Sequence, residues 1–75
     1  LVLRAAIARL HKGDAVFDVE AAGEAALLEA GFNSVDYVAV RDAQTLEKIA
    51  DITRPARILA AAKIGATRLI DNMAL

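Results

Sequence analysis

A small α+β domain is predicted by three features of the sequence. Two stretches with helical periodicity, each ended by a glycine, come first; a run rich in β-branched residues and bounded by turn formers follows; and 75 residues leave no room for a second domain. Hydrophobic residues make up 57%, but eighteen of them are alanine and only three are aromatic, so the core is modest. A domain near this size buries only about 60% of the surface its unfolded chain exposes, which makes stability marginal. No cysteine is present to staple it, which excludes disulfides and thiolate metal sites and fits a reducing compartment.

In the first stretch Leu3, Ile7 and Leu10 stand at i, i+4 and i+7 and share one helix face, while Arg4, Arg9 and Lys12 occupy the others. Gly13 follows as a stop, because it takes the positive φ that a helix C-terminus often needs. A helix is expected from about Val2 to Lys12. The second runs from Val16 to Ala30, with Phe17, Ala21, Glu24 and Leu28 along one line and Val19, Ala22, Ala26, Leu27 and Ala30 along the adjoining one. Asp14 or Asp18 is its expected N-cap. Gly23 weakens the helix by up to about 1 kcal/mol relative to alanine. Gly31 again marks the stop, and Phe32 is placed to fold back on the last turn. The short link makes the two helices neighbours.

After Asn33 and Ser34 the run Val35-Asp36-Tyr37-Val38-Ala39-Val40-Arg41 reads as a strand, with Val35, Tyr37, Ala39 and Arg41 on one face and Asp36, Val38 and Val40 on the other. Asp42 then looks like a cap for a short helix through Ala43 to Ala50. Pro55 punctuates. From Arg57 to Ile70 two readings compete. Ile58 to Lys63 has helix propensity and alanine is a poor strand residue, yet Gly65-Ala66 fits a two-residue hairpin loop with glycine first, leading into Thr67-Arg68-Leu69-Ile70 as a strand.

Charge and motifs exclude several function classes. Nine Lys and Arg balance ten Asp and Glu, for a net charge of −1, and they are interspersed, so there is no basic footprint for nucleic acid. The longest unbroken apolar run, Ile58 to Ala62, is far short of the roughly 18 residues of a membrane span. His11 is the single histidine and Ser34 the single serine; His11 reads as a solvent-facing residue at a helix C-terminus, where its cation suits the dipole. No Ser/His/acid set is indicated. Asp14, Asp18, Asp36 and Asp42 read as caps and solvated positions. Gly13, Gly23, Gly31 and Gly65 form no nucleotide-binding loop. Arg54, Arg57 and Arg68 are candidates to gather at one sheet end, facing an anionic ligand or a neighbouring domain.

The informative block is Gly31-Phe32-x-Ser34-Val35-Asp36-Tyr37-Val38-x-Val40-Arg41-Asp42-Ala43-x-Thr45-Leu46, followed by Arg54-Pro55-Ala56-Arg57-Ile58-Leu59-Ala60-Ala61-Ala62-Lys63-Ile64-Gly65-x-Thr67-Arg68-Leu69-Ile70-Asp71-Asn72. It closely resembles the C-terminal domain of the pantothenate synthetase (pantoate:β-alanine ligase) family, over essentially the whole chain and least distinctively from Leu1 to Gly13. The tandem order and spacing of the two segments make the resemblance specific.

The resemblance implies a cytoplasmic ATP-dependent ligase of coenzyme A precursor biosynthesis. ATP activates pantoate as pantoyl adenylate, magnesium accompanies the nucleotide, and the β-alanine amine then displaces AMP. It also implies a larger N-terminal nucleotide-binding domain, absent from these 75 residues, as the partner of this one. Residues 1–75 are then a single C-terminal lid domain over the adenylate site, inactive alone. No catalytic, cofactor-binding or metal-binding role is assigned to any position, and no cofactor to the fragment itself. The resemblance favours strands for the ambiguous stretch. The resulting expectation is two N-terminal helices plus a short helix, packed on a small, about three-stranded, antiparallel sheet. That the sequence opens on Leu1 rather than methionine fits a piece of a longer polypeptide, and a face cut from its partner is expected to favour self-association into a homo-oligomer. The competing expectation is a free-standing, non-catalytic α+β interaction module that binds another protein through an apolar patch.

Overall fold

The computed structural model describes residues 2–50 and 52–75. Helices α1 (Val2–His11) and α2 (Val16–Glu29) are followed by strands β1 (Ser34–Asp42), β2 (Ala56–Ile64) and β3 (Thr67–Ala74). The strands form one antiparallel sheet in the order β1-β2-β3, and both helices pack on one face of it. The α+β expectation therefore holds, as does the strand reading of residues 57 to 70.

The helices follow their periodicity. Leu3, Ala6 and Leu10 of α1 are buried and Ile7 packs against them. On α2 the line containing Val19 faces inward with Val16 and Gly23, while Phe17 is left 78% exposed. Both helices end as their glycines predict. Gly13 at φ 100° and Gly31 at φ 107° adopt left-handed backbone. The N–H groups of Gly13 and Asp14 donate to the carbonyls of Leu10 and Arg9, and those of Gly31 and Phe32 to Leu28 and Leu27, which is the paired pattern of a Schellman motif.

The cap of α2 departs from expectation. Ala15 occupies the N-cap position and makes no side-chain bond. Asp14 is one residue too early, and its carboxylate accepts instead from Arg9 Nε at 2.8 Å. Asp18 falls within the first turn, where a negative charge suits the dipole without capping anything.

In β1 the simple alternation is broken by a bulge between Val35 and Tyr37. The extra residue, Asp36, lets Val35 share the inward face with Val38 and Val40, so the two faces differ from those of an unbroken strand. Among the described residues no short helix follows β1. Residues 43–45 form a turn, after which Lys48 bridges back to Arg41.

Residues 57 to 70 form the hairpin. Ile64 pairs with Thr67 across Gly65-Ala66, and Gly65 lies at φ 58°, as a Gly-first two-residue loop requires. The Asn33 side chain accepts from the Gly65 N–H and the Asn33 N–H donates to the Lys63 carbonyl, tying this turn to the start of β1. Alanine is tolerated in β2 because position overrides propensity. Ala56 and Ala60 sit in the core beneath the helices, where a small side chain lets the helical layer approach. Ile58, Val19 and Val40 are the largest fully buried side chains and form the centre of that core. No helix among the described residues is long and apolar enough to cross a membrane.

Candidate functional site

Groups that could act in acid–base or nucleophilic chemistry are dispersed by this fold. His11 is exposed at the end of α1 and Ser34 is exposed at the start of β1. They stand at opposite ends of α2, whose 14 residues span about 21 Å at 1.5 Å per residue. Among the described residues no group of three or more His, Asp or Glu converges in a metal-ligating arrangement. These residues therefore do not by themselves build a site for the magnesium that the resemblance implies.

The three arginines expected at one sheet end do not gather. Arg54 Nε lies 2.7 Å from Asp42 Oδ2 in the loop between β1 and β2. Arg57 donates through Nε to Asn72 Oδ1 at 3.2 Å on the neighbouring strand. Arg68 Nη2 is 3.0 Å from Asp36 Oδ2, at the hairpin end. Antiparallel pairing places Arg57 and Arg68 at opposite ends of the sheet because one follows the loop into β2 and the other follows the hairpin.

Asp42 explains the Arg-Asp-Ala-x-Thr-Leu segment. It is the one charged residue buried among those described, at 7% exposure. Its Oδ1 accepts from the N–H groups of Gln44 at 2.8 Å and Thr45 at 3.0 Å, while its own N–H donates to the Glu47 carbonyl at 2.9 Å. This Asx-type turn replaces the expected helix because the side chain satisfies donors that a helix would otherwise satisfy. Thr45 Oγ1 continues it by accepting from the Glu47 N–H at 3.2 Å.

The backbone bonds from Thr45 and Gln44 hold the Asp42 carboxyl below its ordinary range, with Arg54 adding to them against the opposing effect of burial. A carboxylate depressed in the folded state stabilises above its unfolded pKa, near 3.9, and loses that contribution as pH falls through the folded value. Asp42→Asn keeps the shape and removes the charge. The variant is expected to melt several degrees below the parent at pH 7, with the gap closing as pH falls below about 4. Parallel thermal melts from pH 7 to pH 2 test this, and a gap constant with pH would show that the charge is irrelevant.

The turn also delivers Leu46 to the side of the sheet that no helix covers. Leu46 has φ 61° and is 56% exposed, a left-handed conformation that costs a non-glycine residue on the order of 1 kcal/mol. With Tyr37, Ala39, Arg41 and Leu59 it lines a shallow concavity of about 310 Å³. The pairing register builds the rest of this face in rows. Tyr37, Ala61 and Ile70 form one row and Ala39, Leu59 and Asn72 the next, flanked by Arg41 with Arg57 at one end and Lys63 with Arg68 at the other.

A net charge of −1 thus conceals a sorted distribution. The bare face carries Arg41, Arg57, Lys63 and Arg68 against the single carboxylate of Asp36, whereas α2 carries Asp18, Glu20, Glu24 and Glu29 and no Lys or Arg. Sequence reasoning missed this face. The alternation of cation and apolar residue along Arg57-Ile58-Leu59 and Lys63-Ile64 was a signal, but it has meaning only once the strand register is known.

Comparison with known proteins places the chain. The family model described as Pantoate-beta-alanine ligase matches residues 1–74. Pantothenate synthetase of Sphingopyxis alaskensis is 51% identical over 71 residues, which are 95% of this chain and 25% of that protein. Its counterpart in Paramagnetospirillum magneticum is 62% identical over 47 residues, 63% of this chain and 16% of its own length. The crystal structure of pantothenate synthetase from Thermus thermophilus superposes with a TM-score of 0.81 at 33% identity, covering 96% of this chain and 26% of that one. The chain spans about a quarter of the length of most of these relatives.

Proposed function

The chain belongs to the pantoate–β-alanine ligase family, and on that premise we propose that it is the C-terminal lid domain of a cytoplasmic ligase that joins pantoate to β-alanine at the expense of ATP. In this reading the pantoate carboxylate attacks the α-phosphorus of ATP and pyrophosphate leaves. The β-alanine amine then attacks the resulting pantoyl adenylate, forming the amide and releasing AMP. The nucleotide, its magnesium and the reacting groups are assigned to the nucleotide-binding domain outside these 75 residues. This chain is assigned no catalytic residue and no turnover of its own.

One observation supports the reading above others: the match runs along nearly the entire chain while occupying only a quarter of the relative's length. A lid also suits the chemistry. An acyl adenylate is readily hydrolysed, and a part that closes over it excludes water and strengthens the electrostatic contacts around it without supplying a nucleophile. A small rigid sheet braced by two helices is a suitable shape for that task.

The test joins this chain in frame to the other three quarters of the Sphingopyxis alaskensis relative. With ATP, magnesium, pantoate and β-alanine, the joined polypeptide is expected to form pantothenate and AMP in equal amounts. The other three quarters alone should release AMP in excess over pantothenate, because the unprotected adenylate hydrolyses. The 75-residue chain alone should release none. Steady turnover by the chain alone, or tight coupling without it, would overturn the lid assignment, and binding of an unrelated protein by the chain would favour an interaction module.

A further inference from the structure

We propose that the bare face of the sheet, rather than the helical layer, is the surface that docks on the remainder of the ligase polypeptide, and that the counter-surface is apolar at its centre and acidic at its ends. The inference rests on the domain assignment above and goes beyond it by naming the face. Four observations converge on it. Both helices pack on the opposite side, so no helix covers Tyr37, Leu59 and Ile70, the last of which is 64% exposed. Leu46 is held over the same face at an unfavourable φ while remaining exposed; strain kept at an exposed apolar residue points to a use other than stability. Cations close both ends of the apolar rows. On the other side the exposed apolar side chains are divided: Leu28 stands among the carboxylates of α2, Leu69 and Ile64 lie toward the hairpin end of the sheet, and Phe17 lies at the β1 edge beside Tyr37, which is ordinary surface.

Charge and area together select the occupant. Because cations stand at both ends, stacking two copies face to face sets Arg or Lys against Arg or Lys in either orientation, so a second copy is disfavoured. Three strands about 4.8 Å apart, each about eight residues long at roughly 3.3 Å per residue, present an area on the order of 350 Å². Burying it on both sides removes about 700 Å², within the range for domains tethered in one chain and below the roughly 1,200 Å² of stable free complexes. A covalently linked neighbour fits; a freely diffusing partner does not. Nucleic acid is a poor match, since the centre of the face is aliphatic apart from Tyr37 and offers no row of stacking rings.

The chain has no cysteine, so single thiols can report on each face. Ile70→Cys on the sheet and Leu28→Cys on α2, itself 50% exposed, would be introduced separately into the joined polypeptide described above. Each alkylation rate, followed by peptide mass spectrometry, would be divided by its own rate in denaturant. The thiol at position 70 is expected to be slowed at least tenfold more than that at position 28. A third variant, Tyr37→Cys, guards against a local effect at position 70 and should follow it. Equal reactivity on the two faces, or protection at position 28 instead, would overturn the proposal. AMP release from the same samples separates the two readings. A coupled ligase with an unprotected position 70 refutes the face alone, whereas protection without any AMP release refutes the ligase reading and leaves the docking face standing.

Discussion

Replacing Ile58 by alanine is expected to destabilise the domain by about 3–4 kcal/mol, bringing it close to the point of unfolding at 37 °C. Ile58 has no exposed surface and pairs across the sheet with Val40 on one side and Met73 on the other. Its side chain therefore lies between both neighbouring strands, in the same core cluster as fully buried Val19. Removing three carbons loses their transfer free energy and leaves a cavity that a packed three-stranded sheet can close only in part. A chain of 75 residues has a total stability of only about 4–11 kcal/mol at the usual value per residue. At roughly 4–8 °C for each kcal/mol, the melting temperature should fall by about 12–32 °C. Ile58→Val, which removes one methylene, should cost about 1 kcal/mol. Urea titration followed by circular dichroism measures both, and a loss under about 1 kcal/mol for the alanine variant would mean that the core is not centred on β2.

The α+β class and both helix ends were legible because they depend on local signals. Periodicity of 3.6 placed Leu3, Ile7 and Leu10 together, and Gly13 and Gly31 marked stops that need positive φ. The Gly65-Ala66 loop is legible only as one of two competing readings, the other being a helix through Ile58 to Lys63. What escaped local reading was decided by partners distant in sequence. Ala60, Ala61 and Ala62 carry a helix signal, yet they lie in a strand because β1 and β3 pair with them, and only the family resemblance favoured that outcome. Asp42 was read as a helix cap because an aspartate before alanine looks the same whether its carboxylate starts a helix or closes a turn; Arg54, twelve residues on, helps to decide.

The candidate site shows the same division more sharply. One histidine and one serine offer no Ser/His/acid set to read, and the fold carries His11 and Ser34 to opposite ends of α2. The docking face was not visible, because its cations are spread over the sequence from Arg41 to Arg68 and become neighbours only through antiparallel register. The bulge at Asp36 adds to the difficulty. Without it Val35 would share a face with Tyr37, and the division between apolar core and bare face would be drawn through the wrong residues.

Gly23→Val is expected to cost about 3 kcal/mol, while Gly23→Ala should be close to neutral, and the contrast tests why a glycine stands in the middle of α2. By helix propensity alone alanine there would gain about 1 kcal/mol. Gly23 is nevertheless buried at the crossing of α2 over β1, and a Cβ built on it would lie 3.0 Å from Val38 Cγ1. That distance is short for two carbons, whose favourable separation is about 3.5–4.0 Å. Val38 must give by a few tenths of an ångström to admit one methyl, and it is itself buried against the sheet. For alanine the propensity gain and the crowding roughly cancel. Valine adds two further carbons in the same direction, with a side chain too stiff at χ1 to turn aside, so α2 must lift from the sheet. Lifting it would also draw Glu20 away from the buried Val40 N–H, which donates to its Oε2 at 2.8 Å, and the abandoned buried donor, worth about 1–3 kcal/mol, is part of that total. Chemical denaturation of the three proteins side by side decides the matter. Alanine stabilising by the full gain of about 1 kcal/mol, with valine no worse, would mean that the helix does not approach the sheet closely at this point.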